Sequence, residues 1–255
     1  MFKVPGWSMI DNPYEFVWND GDSLLITAGD SWTYGDSLGN TKVRLGRDDK
    51  VYRLDHVYGN LMAQELKANW INLAMPGGSN SLIVSWVEML LETMTVQDYY
   101  REMKDPMRCV ITLTESGRHE DMRLIDRSLG TQQRVLEKIT AEIYGRITVL
   151  MLKHPDVKFI IGHNFTDSVS TMPCKQSWLE VMLGEQIQNG THIVISEHIE
   201  QMNYDARFPD VLDVMSRAEA RMDLLDSCAY CYKEDSRHPN EQGHRMWADY
   251  LLGQI

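Results

Sequence analysis

The chain predicts an α/β fold built on one parallel sheet with helices on both faces. Short apolar runs alternate along the sequence with stretches whose apolar residues recur at helical spacing. No internal repeat interrupts that alternation, which is the signature of a doubly covered parallel sheet. The length of 255 residues suits one such domain, long enough to bury about three quarters of its unfolded surface.

Residues 1–22 are rich in Pro, Gly, Asp, Asn and aromatics (Trp7, Tyr14, Phe16, Trp18) and read as an irregular arm, leaving 23–255 as the domain. Ser23-Leu24-Leu25-Ile26-Thr27-Ala28 is a buried strand ended abruptly by Gly29-Asp30-Ser31, with Gly29 expected to adopt angles closed to other residues. A polar loop, 39–50, follows as a rim. Val57, Leu61, Met62 and Leu66 mark a helix, and Trp70 to Ala74 the next strand, broken by Met75-Pro76-Gly77-Gly78-Ser79-Asn80. Leu82, Ile83, Trp86, Val87, Leu90, Leu91 and Met94 form the apolar face of a long helix.

Arg108 to Thr114 is a third strand, with Glu115-Ser116-Gly117-Arg118-His119-Glu120 as the loop at its end. Val135, Ile139, Ile143, Ile147 and Leu150 give a helix that ends before His154-Pro155. Strands at Val157 to Gly162 and His192 to Ser196 complete a set of five, separated by a loop from Asn164 to Ser177. Helices at Val211 to Leu225 and around Trp247, Leu251 and Leu252 close the chain.

A formal net charge of -12 argues against nucleic acid as the main partner, because a phosphate backbone needs a basic footprint. No apolar run reaches membrane-spanning length. The start, Met1-Phe2-Lys3-Val4-Pro5-Gly6-Trp7, has no apolar leader segment, so no signal peptide and a cytoplasmic location are expected. Four cysteines in so long a chain are expected as reduced thiols.

Two stretches carry chemistry. Ser31 falls at the carboxyl edge of a strand, where open α/β sheets bind ligands. There its hydroxyl is placed to attack a carbonyl, and its N–H to hold the oxyanion. Near the other end stands Asp235-Ser236-Arg237-His238-Pro239-Asn240. A histidine accepts a serine proton well only when a carboxylate fixes its tautomer, and Asp235 lies three residues before His238. The zinc reading of Cys228-Ala229-Tyr230-Cys231 with His238 and His244 is weaker, because His238 is already claimed. Cys228 and Cys231 are expected as buried apolar residues and no metal site is assigned. Glu115, Glu120 and Asp121 read as a solvated acidic face, and Asp30 as an acceptor for loop N–H groups.

The pairing of Gly-Asp-Ser near the start with Asp-x-x-His-Pro-Asn near the end resembles the GDSL, or SGNH, hydrolases. The resemblance implies a flavodoxin-like three-layer sandwich with a five-stranded parallel sheet, no cofactor, and Ser31, His238 and Asp235 as a catalytic triad. It also places a second block at Asn72 to Gly77, matching Asn-x-x-x-x-Gly. Gly77 then supplies an oxyanion N–H, with Gly78 next to it as the alternative. The third block departs from Gly-x-Asn-Asp: Thr114-Glu115-Ser116-Gly117-Arg118 has no asparagine. Ser116, Arg118 or Asn80 is the replacement donor.

Asn80, Arg118 and His163 are the candidate substrate contacts, although a histidine satisfied by a loop carbonyl also fits position 163. The implied function is hydrolysis of an acyl ester, with an O-acetylated carbohydrate favoured because no lipid-facing apolar lid is evident. The rival is an SGNH-fold virion or interaction protein with little turnover. The wording Asn-Leu-Ala-x-Pro-Gly-Gly-Ser-Asn also resembles SGNH-type proteins of large tailed bacteriophages, which leaves virion association or self-association open as partner classes.

Overall fold

The computed structural model describes residues 15–39, 50–93, 107–114, 129–165, 176–188, 225–226, 228–232 and 237–255. Five strands form one sheet: β1 (Glu15–Val17), β2 (Ser23–Ala28), β3 (Ala68–Asn72), β4 (Arg108–Leu113) and β5 (Lys158–His163). Their spatial order is β1-β3-β2-β4-β5. β2, β3, β4 and β5 run parallel, whereas β1 pairs antiparallel with β3, Phe16 opposite Ile71. The four parallel strands, counted along the chain, lie in the order 2-1-3-4, which is doubly wound. In that order the ligand crevice opens between β2 and β4.

Among the described residues the sheet has five strands, of which four were expected, and β1 makes it mixed rather than wholly parallel. The fifth strand expected at His192 to Ser196, and the helix at Val211 to Leu225 up to its last residue, lie outside the described residues. The fifth strand seen is β1, inside the segment expected to be an irregular arm. Phe16 packs on the core while Trp18 stays 56% exposed. Trp7 and Tyr14 lie outside the described residues.

Alternation along the strands divides the core in two. Leu24, Ile26 and Ala28 of β2 face one layer with Ile71, Cys109, Ile111 and Ile161. That layer is closed by α4 (Asn80–Glu92) and α5 (Leu129–Lys153). Leu25 faces the opposite layer with Trp70, Val110 and Ile160. The first helices of the chain are α1 (Ser31–Tyr34), α2 (Lys50–His56) and α3 (Tyr58–Glu65). α3 covers the second layer together with α6 (Trp178–Gln188) and α7 (Glu241–Leu252). Trp178 of α6 stacks on Trp247 of α7, their centroids 5.5 Å apart. The helix expected over Val57 to Leu66 is α3, with Val57 and Leu66 as its caps, and α2 ahead of it is an addition to the elements expected from the sequence.

On α4, Ile83, Val84, Val87, Leu90 and Leu91 are buried, whereas Leu82, expected on that face, is 36% exposed. Met94 lies outside the described residues. α6 is an addition to the elements expected from the sequence. Its start is a capping box: Glu180 Oε2 accepts from the Ser177 N–H at 2.6 Å, and Ser177 Oγ accepts from the Glu180 N–H at 3.2 Å. Ser-x-x-Glu ahead of Trp178, Leu179, Met182 and Leu183 is a readable signal for such a start. Among the described residues no helix is long and apolar enough to cross a membrane.

Candidate active site

The chain leaves β2 through Gly29 and enters α1 at Ser31, capped by Asp30. Gly29 does not have a positive φ, so its expected conformational role is corrected to a steric one. A Cβ there would stand 2.0 Å from Thr33 Oγ1 and 3.1 Å from the Thr112 carbonyl. Only a bare α-carbon lets the strand end lie against β4 and α1 at once. Asp30, 1% exposed, accepts from the Trp32 N–H at 3.0 Å and from Asn164 Nδ2 at 2.8 Å. It therefore does the N–H capping expected of it, and Asn164 ties that cap to the end of β5. Ser31, 5% exposed, sits at the edge so formed.

The second block continues the ladder beyond β3. Leu73 N–H donates to the Thr27 carbonyl at 2.8 Å and Met75 N–H to the Gly29 carbonyl at 3.0 Å. That pairing carries the Gly77 turn alongside Gly29-Asp30-Ser31. Gly77 has φ +76, and among the described residues nothing lies within 4 Å of where a Cβ would stand. This is left-handed backbone, where any side chain would be strained.

His238 arrives from the far end of the sequence. Its loop is clamped by a bridge between Cys231 and Pro239, with Tyr232 N–H donating to the His238 carbonyl at 2.9 Å. Cys231 belongs to that bridge and, with Cys228, is buried in the apolar core, the setting expected of both. Among the described residues no three His, Cys, Asp or Glu side chains group as metal ligands. Glu241, at the start of α7, accepts from the hydroxyls of Tyr52 at 2.8 Å and Tyr232 at 2.6 Å, which fastens the loop to α2.

The His238 imidazole, 10% exposed, turns its Nε2 edge to the turn that follows Ser31. Nε2 lies 3.9 Å from Asp36 Oδ2. Asp36 belongs to the turn that closes α1, and its N–H donates to the Ser31 carbonyl at 3.0 Å. The base candidate and the serine turn, about two hundred positions apart in the chain, therefore meet. Asp235, Ser116 and Arg118 lie outside the described residues.

Asn80 and His163, expected at the substrate, have protein partners. Asn80 Nδ2 donates to the Thr114 carbonyl at 3.0 Å, and its Oδ1 accepts from the Thr114 N–H at 2.8 Å. That amide grips the chain where the third block begins. His163 Nε2 pairs with the Tyr144 hydroxyl of α5 at 3.0 Å, and its ring is 6% exposed.

No family model matches the chain, and no curated protein matches it. Solved structures do. One is a carbohydrate esterase whose active site displays divergent catalytic and non-catalytic binding functions. It is 17% identical with a TM-score of 0.48, over 92% of this chain and 64% of that one. The chain thus spans less than two thirds of that protein's length. A lipolytic protein of the G-D-S-L family from Desulfitobacterium hafniense DCB-2 is 13% identical, covering 91% and 99%, at a TM-score of 0.39. An acetylxylan esterase from Geobacillus stearothermophilus is 16% identical, covering 92% and 94%, also at 0.39.

Beneath the site, His244 of α7 is wholly buried against Tyr58 and Trp178. Its Nδ1 accepts from the Tyr58 N–H at 3.3 Å, and its Nε2 finds no hydrogen-bond partner among the described residues. Burial first, then the charges of His238 and His56, push it down to about 3. An unfolded histidine titrates near 6.5, so between that pH and 3 the unfolded chain binds the extra proton. This group's contribution to stability is full above pH 6.5 and declines as the pH falls. Its share of the loss is roughly 2 kcal/mol between pH 6.5 and pH 5. Urea titrations at pH 7 and pH 5 check this: His244→Gln should lose clearly less stability over the interval than wild type. Equal losses would contradict a neutral, buried His244.

Proposed function

We propose that the chain is a serine ester hydrolase of the SGNH type acting on an O-acetylated carbohydrate or a comparable small ester. The observation that supports it best is the Nε2 edge of His238 meeting the turn that presents Ser31. In this reading Ser31 Oγ bonds to the acyl carbon as His238 takes its proton. The ester C–O bond then breaks, and the same proton passes to the leaving alcohol oxygen. Water, deprotonated by His238, releases the acid and restores the serine. Asp235 holds the imidazole tautomer, and the N–H groups of Ser31 and Gly77 receive the oxyanion. Ser116 supplies the third donor, Arg118 contacts the substrate, and Asn80 serves the site by holding Thr114. The chemistry needs no metal or organic cofactor.

Hydrolysis of p-nitrophenyl acetate tests the reading. Wild type should turn it over at pH 8, and His238→Gln should lower kcat by at least about two orders of magnitude. A variant as fast as wild type would instead favour an SGNH-fold interaction protein.

A further inference from the structure

Asp36 plays no part in the triad chemistry, yet among the described residues its carboxylate faces Nε2 of His238 at 3.9 Å. Its position is set on three sides. Its N–H is held by the Ser31 carbonyl at 3.0 Å, and its Oδ1 accepts from the Ser37 N–H at 3.1 Å. Gly35 and Ser37, on either side, both have left-handed backbone with φ 79 and 74. The other oxygen, Oδ2, is the one aimed at His238. Asp36 has no lysine or arginine partner among the described residues, and its side chain is 39% exposed against 10% for His238. The nearest arginine on the His238 loop, Arg237, is committed to Asp226 at 2.5 and 2.7 Å.

We propose that Asp36 selects esters whose leaving alcohol carries a free hydroxyl on the neighbouring carbon, as a partly acetylated sugar ring does. The inference rests on the hydrolase reading above. To receive the proton, the leaving oxygen must come within hydrogen-bond reach of Nε2. A hydroxyl on the adjacent carbon then stands about one hydrogen-bond length further on, where Oδ2 of Asp36 waits as a charged acceptor. An alcohol without that hydroxyl strips water from the carboxylate and returns nothing, which is the kind of mismatch that discriminates strongly. The same charge disfavours anionic alcohols.

The test compares kcat/KM for 2-hydroxyethyl acetate and 2-methoxyethyl acetate, which differ by a cap on that one hydroxyl, with p-nitrophenyl acetate as a substrate that lacks it. Wild type should prefer the hydroxyl compound by about tenfold or more, the selectivity of a hydrogen bond to a charged group. Asp36→Asn should cut the preference several-fold, and Asp36→Ala should bring it towards one. Hydrolysis of p-nitrophenyl acetate with no preference in wild type, or an unchanged preference in both variants, would overturn the role of Asp36 alone. Failure of wild type on all three esters would overturn the hydrolase reading and this role with it. Should Asp36→Ala not fold, the wild-type preference and Asp36→Asn still decide.

Discussion

Ser31→Ala takes p-nitrophenyl acetate hydrolysis down to near the background set by binding and oxyanion donors, a fall of about six orders of magnitude in kcat if the triad acts as a unit. The size follows from the role: without Oγ no acyl-enzyme forms, and His238 has no proton to take. The fold should not feel the change. What holds this turn is backbone and Asp30: the Ser31 carbonyl accepts from Gly35 and Asp36, and Asp30 caps Trp32. Melting within about one degree of wild type, alongside the lost rate, separates a chemical defect from a structural one. A variant that keeps more than a few per cent of the rate would remove Ser31 from the mechanism.

Arg53→Ala should destabilise the chain by about 3–5 kcal/mol, the cost of orphaning a buried charge. Arg53 is 1% exposed. Its guanidinium grips both oxygens of Glu15 at 2.8 and 2.5 Å, donates to the Tyr34 carbonyl at 3.0 Å, and lies 3.9 Å over the Tyr34 ring. Burial alone would push the Glu15 carboxyl up, but the hydrogen bond and charge of Arg53, with Lys50 and Asn72, hold it below its ordinary value. One side chain thus fastens β1 to α2 and to the end of the serine turn. At roughly 2–4 °C per kcal/mol for a domain of this size, the melting temperature should fall by about 10 °C. Arg53→Lys should recover little, because an ammonium cannot span both carboxylate oxygens and the carbonyl. A loss below about 1 kcal/mol in Arg53→Ala would show that the pair is dispensable.

The parts of this fold that local chemistry dictates were legible. β2 matches its expected bounds because Ser23 to Ala28 is a run buried on both faces, which only a central strand explains. The serine at its end and the histidine loop were paired because Asp235 stands three residues before His238 and the two blocks together resemble one hydrolase family. What escaped depends on tertiary neighbours. Glu15, Phe16 and Val17 make a strand of three residues, too short for periodicity to mark, and Arg53 buries itself there only because Glu15 is opposite. Asp36 lies in Gly35-Asp36-Ser37, which repeats the letters of Gly29-Asp30-Ser31. Nothing local says that it turns towards His238. Gly29 was expected to turn and proves to make room. α6 is the exception, since its capping box was readable.

Labelling with a fluorophosphonate tests the central claim most directly, because the probe reacts only with a serine whose proton a neighbouring base removes. Wild type should take up one adduct per chain, located by peptide mass spectrometry at Ser31, and His238→Gln should take up almost none. Adduct on another serine, or equal labelling of Ser31 without His238, would mean that the two ends of the chain do not work together.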